Sequence, residues 1–130
     1  MDWEYIKDKV LVFGEDDYVF SNVFVAIISE HRYKTNKDLV TNVYLLLQEL
    51  MHENLIEVFI LKTELKDGKK VVENLLYKYE NNIDVENFIK KVDEEWASSN
   101  YRLPEPNELF WITTNENGKT KIKENTSNGF

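Results

Sequence analysis

Apolar residues recur along this chain with two periods, and the alternation between them predicts its elements. Trp3, Ile6 and Val10 fall at helical spacing, with Asp2 placed to cap, and predict a short helix ending near Gly14. Asp16 and Asp17 then offer an N-cap and favourable charge for a second helix. Phe20, Val23, Phe24, Ile27, Ile28 and His31 follow its 3.6-residue period, although the β-branched run from Val23 to Ile28 also suits a strand. The clearest helix comes next. Thr35, with Asp38 three residues later, resembles a capping box. Leu39, Val40, Val43, Tyr44, Leu46, Leu47, Leu50 and Met51 make a wide apolar face, central to the expected core. Asn54 tolerates the left-handed backbone that ends helices, and Leu55 can close over the last turn.

A different period follows. Ile56, Val58 and Ile60 alternate with Glu57, Phe59 and Leu61, as in a largely buried strand. The segment Lys66-Asp67-Gly68-Lys69 has turn chemistry. Residues 70–80 fit either period; the turn favours a strand returning as a hairpin, with a helix as the alternative. Asp84 is placed to cap a helix whose apolar positions are Val85, Phe88, Ile89, Val92 and Trp96. Pro104 and Pro106 stiffen a loop. Leu109, Trp111 and Thr113 alternate with Phe110, Ile112 and Thr114; the spacing of Trp96 and Trp111 puts both on apolar, core-facing sides. Asn117-Gly118 predicts a hairpin, with Lys119 to Lys123 as its returning strand. The sum is one α+β domain over residues 1–124, with a helical N-terminal half and small antiparallel hairpins, followed by a flexible polar tail at 125–130.

Composition narrows the function. The chain has 130 residues and a net charge of -8, from 24 acids and 16 bases. Such a surface repels polyanions, so nucleic acid and anionic membrane are disfavoured, while a basic protein partner is favoured. There are no cysteines, which excludes disulfides, thiol catalysis and thiolate metal sites. No signal-peptide pattern opens the chain and no apolar run is long enough to span a bilayer, so the cytoplasm is the expected compartment.

Candidate chemistry is sparse. His31 and His52 have no metal-ligand spacing with another His or Cys. Asp16-Asp17 and Glu94-Glu95 are adjacent acids, which point apart on a helix instead of converging on one bond. No Gly-rich phosphate loop is present, and Ser98-Ser99 has no nearby His to activate it. Neither an enzymatic activity nor a cofactor is expected. From Glu80 to Glu108 eight acids face three bases. Asp84, Glu86, Asp93, Glu94 and Glu95, with Tyr101 as an aromatic anchor, are the expected contacts to a basic partner. Lys66, Lys69 and Lys70 cluster at the hairpin turn and offer the alternative, a DNA contact; Lys119, Lys121 and Lys123 would make one strand face basic. Against DNA, the stretch from Asp38 to Leu61 holds no Lys or Arg where a recognition helix would need them.

Two resemblances bear on this. Leu50 to Ile56, Glu94-Glu95-Trp96, Pro104 and Pro106, Phe110-Trp111-Ile112-Thr113 and Gly118 together resemble a loose group of small bacterial winged-helix-like proteins without enzymatic activity. That resemblance implies a winged-helix-like core, with residues 62–83 expanded. In size, acidity and plainness the chain also resembles immunity proteins of bacterial polymorphic-toxin and contact-dependent growth inhibition systems. This second resemblance implies a cytoplasmic inhibitor that masks a basic toxin domain, frequently a nuclease. A winged-helix regulator that binds DNA is the alternative.

Overall fold

A computed structural model describes residues 3–29 and 37–127. The expected roles of Asp2, His31 and Thr35 lie outside the described residues. Among those described, five helices and four strands follow in the order α1 (Trp3–Phe13), β1 (Val19–Phe20), α2 (Ser21–Ile28), α3 (Lys37–His52), β2 (Ile56–Lys66), β3 (Lys69–Tyr77), α4 (Asn82–Ser98), β4 (Phe110–Thr114) and α5 (Glu116–Ser127). The class is α+β. The strands form one antiparallel sheet in the order β1-β4-β2-β3.

The join between α3 and β2 organises the rest. Asn54 takes φ 54°, and the amides of Asn54 and Leu55 return to the carbonyls of Met51 and Leu50, at 2.9 and 3.0 Å. This is the Schellman closure that an Asn after the last turn permits. The Asn54 carbonyl accepts from the side-chain amides of Asn115 and Asn117, at 2.9 and 3.2 Å, and the Leu55 carbonyl accepts from the Asn115 amide at 3.1 Å. One turn therefore ends α3, starts β2 and seats the start of α5.

Strand parity sorts the sheet into two faces. Val19, Ile112, Val58 and Tyr77 sit side by side in register, and the first three are buried. The helices pack on this side. Phe24 of α2 and Phe88 of α4 stack edge-on against Phe110, and Phe88 also meets Tyr77. The Leu11 carbonyl of α1 accepts from Thr114 Oγ1 at 2.6 Å. The core cluster runs through α1–α4 and the inward strand positions, with Trp96 fully inside. Lys7 is buried among carboxylates, 2.6 Å from Glu53, 3.4 Å from Glu49 and 3.5 Å from Glu4, and so ties α1 to α3. Burial lowers its pKa; the hydrogen bond and charge of Glu53, then Glu49 and Glu4, outweigh this and hold it above the usual lysine range.

Several expectations are corrected. Asp16 and Asp17 do not cap a helix: β1 intervenes, α2 begins at Ser21 behind Phe20, and Asp17 Oδ1 accepts from the Tyr18 amide. Residues 69–77 are a strand, so the hairpin reading of this segment holds. Asn81 caps α4, and Asp84 stands three residues inside, its amide bonded to Asn81 Oδ1 and its carboxylate to the Glu80 amide. The largest correction is at the C-terminus. Asn117-Gly118 is not a hairpin, and Lys119, Lys121 and Lys123 lie on a helix. Asn115 Oδ1 accepts from the Gly118 amide at 2.9 Å, a helix N-cap that outcompetes the turn. The helix runs to Ser127, past the boundary expected for the tail.

Gly118 supplies a test of this packing. Elsewhere in a helix, Gly to Ala stabilises by about 1 kcal/mol. Here a Cβ would stand 2.4 Å from the Leu55 carbonyl oxygen and 2.5 Å from Thr114 Cγ2. Gly118→Ala is expected to destabilise by about 1–3 kcal/mol in urea unfolding, the range for overpacking. A stabilised variant would reject the seating of α5 on the α3–β2 turn.

Candidate functional site

The six residues expected to bind a partner do not form one patch. On α4 the buried positions are Val85, Phe88, Ile89, Val92 and Trp96. Asp93 and Glu95 flank that face on opposite sides, about 160° apart at 100° per residue. Asp93 is half-buried and accepts from Tyr44 at 2.7 Å and Tyr101 at 2.9 Å, both on Oδ1. Asp84 is spent on the helix start, and its carbonyl accepts from Tyr77 at 2.9 Å. Tyr101 takes φ 57°, a strained conformation for a bulky residue, and packs its ring 5.8 Å from Trp96. Thus Asp84, Asp93 and Tyr101 are committed to internal bonds, while Glu86, Glu94 and Glu95 are exposed.

Glu95 belongs with the loop that follows. Although the side chain reaches solvent, partial desolvation of its carboxyl, and then the charge of Glu108, holds it above the usual carboxylate range. Arg102 closes the loop on Glu108 at 2.6 Å, and Glu108 Oε1 accepts from the Glu105 amide at 2.8 Å. The Trp96 indole donates to the Arg102 carbonyl, and the Trp111 indole donates to the Pro106 carbonyl, at 2.7 and 2.8 Å. The loop is therefore tethered at both ends, and Glu105 stands exposed on it.

The second face of the sheet carries residues that the sequence reading did not select. Phe20, Trp111, Phe59 and Leu76 are consecutive cross-strand partners, one from each strand. Tyr18 lies against them, with ring centroids 4.9 Å from Trp111 and 5.3 Å from Phe59; Phe20 is 4.9 Å from Trp111. None of these five joins the core cluster. Leu76 is 49% exposed and Tyr18 37%. The expectation that Trp111 faces the core is thus corrected: Phe110, Ile112 and Thr114 point inward, and Trp111 points away. The only signal available was that both parities of β2 are apolar, which reads equally well as a strand covered on two sides.

The basic residues are dispersed. Beyond Ile60, β2 pairs only with β3, so the hairpin projects past the sheet and carries Lys66, Lys69 and Lys70 at its tip. Lys66 lies 3.8 Å from Glu73, and Lys62 lies 2.9 Å from Glu64. On α5, Lys119 meets Glu116 and Lys121 meets Glu4, each at 3.6 Å. His52 borders a polar pocket of about 380 Å³ with Asn54, Tyr79, Glu80 and Asn81. Burial, then the charge of Glu57, pushes Tyr79 up to about 12, and its hydroxyl donates to the Ile56 carbonyl at 2.6 Å. Among the described residues no group of His, Asp or Glu is arranged to hold a metal ion, and no helix is long and apolar enough to cross a membrane. No family model, curated protein or solved structure matches the chain.

The Asp93 junction makes a pH prediction. Burial, then the hydrogen bond and charge of Asp93, raises the Tyr44 pKa well above its ordinary value of about 10. The native state then keeps a proton that the unfolded chain releases, so stability is present below about pH 10 and falls as pH rises past it. Tyr44→Phe is expected to cost about 1.5 kcal/mol at neutral pH, the lower end for a bond to a charged group. It should also flatten the alkaline loss of stability in urea titrations; an unchanged alkaline slope would contradict the assignment.

Proposed function

We propose that this protein is an immunity-type inhibitor, which binds a cognate basic toxin domain such as a nuclease and neutralises it through an acidic surface. The observation that carries the reading is the division of labour among the acids of α4 and its loop. Asp84 and Asp93 hold the fold together, whereas Glu86, Glu94, Glu95 and Glu105 stand exposed on a chain of net charge -8. Exposed carboxylates on a rigid helix and a tethered loop lose little freedom on meeting a cationic surface. A nuclease must gather phosphates with Lys and Arg, and an acidic protein competes for those same cations. The projecting hairpin favours one other reading, a DNA contact through Lys66, Lys69 and Lys70.

The test begins with tagged protein recovered from source cells at low and moderate salt. One basic protein is expected in roughly equal amount. Expressed alone in another host, that protein should arrest growth, and co-expression of this chain should restore it. Bound partner without rescue rejects inhibition; recovery of DNA alone, lost after nuclease treatment, moves the assignment to the hairpin. Joint substitution of Glu86→Lys and Glu94→Lys, which lie about 80° apart on the exposed side of α4, should weaken the complex about tenfold or more, with the larger effect at low salt. Unchanged affinity would reject α4 as the contact.

A further inference from the structure

We infer that the partly accessible aromatic face of the sheet, on which no helix packs among the described residues, is a docking surface for an extended, arginine-bearing segment of the partner. The inference rests on the basic-partner reading and gives it a second contact. Three observations carry it. First, the row Phe20–Trp111–Phe59–Leu76 crosses all four strands on the side opposite the buried row Val19–Ile112–Val58–Tyr77. The helix contacts with Phe110, Thr114 and Tyr77 all fall on that buried side. Second, Tyr18 packs against Phe59 and Trp111, so the rings form a partly buried platform whose most exposed members are Tyr18 and Leu76. Third, acids border it. Glu57 follows strand parity onto this face beside Thr113, and exposed Asp16 and Asp17 precede Tyr18. Exposed Glu105 adjoins Pro106, whose carbonyl Trp111 holds.

An aromatic platform ringed by carboxylates is the environment that takes a guanidinium: the plane stacks on the rings while its N–H groups reach the acids. Lys70, which the register puts on the same face opposite Leu65, lies at the far hairpin end. The cationic side chains are therefore placed over β1 and β4, with the apolar ones over Leu76 and Phe59.

The probe is a synthetic, end-capped peptide alternating arginine and valine, titrated into the full chain and followed by amide and indole NMR shifts. Saturable shifts are expected at the Trp111 indole, Phe59 and Leu76, with weaker binding when lysine replaces arginine. Leu76→Lys changes an exposed side chain and should leave the fold intact; it should weaken the peptide about tenfold. Shifts confined to α4, lost on Glu86→Lys and Glu94→Lys, would overturn this surface while leaving the basic-partner reading in place. Equal binding of a glutamate–valine peptide would overturn the charge assignment. Absence of binding by any cationic peptide would overturn the surface as a docking site. Stacking of a single-stranded oligothymidylate on the same row, with no response to the peptide, would replace the protein partner by nucleic acid.

Discussion

The turn at Asn54–Leu55 is the constraint on which the other elements depend. Its left-handed residue closes α3 and directs the chain into β2, the strand that pairs on both sides. Its two carbonyls then receive the amides of Asn115 and Asn117 and so fix where β4 stops and α5 starts. The asparagines satisfy the carbonyls that the turn leaves free, from a segment sixty or so residues away. The same geometry explains Gly118. A helix seated this closely on a carbonyl leaves no space for a Cβ.

Much of the fold was legible because single elements announce themselves. The apolar stripe of α3 and that of α4 are satisfied by one layer, and strand alternation located β2 and β4. What was not legible depended on competition between local signals. Asn117-Gly118 has the chemistry of a hairpin, yet Asn115 is an equally good helix cap, and only the distant Asn54 carbonyl decides between them. Asp16-Asp17 looks like a cap because nothing local reveals that two residues, Val19 and Phe20, pair with β4 first. Parity told that Trp111 and Ile112 face opposite ways; it did not tell which way the helices lie.

The candidate site shows the same limit. A run of acids in sequence suggested one patch on α4, but a helix distributes neighbours around its axis. Tyr44 of α3 and Tyr101 of the loop after α4 both donate to Asp93 Oδ1 and claim it for the fold. The aromatic row is the converse case: its members lie far apart in sequence and meet only through register. Among the described residues the helices pack on one side of the sheet, and the aromatic row on its other side stays partly accessible. On the proposed reading, charge and shape would suit one kind of partner, cationic enough for the carboxylates and extended enough for the rings.

The most direct measurement places a photo-crosslinking residue singly at Leu76, on the aromatic face, and at Leu45, exposed on the helix layer. Each full-length variant is irradiated in source cells. The account predicts that Leu76 captures a basic protein whose toxicity this chain relieves, whether or not Leu45 on the helix layer also captures it. Capture of that protein from Leu45 alone would contradict it.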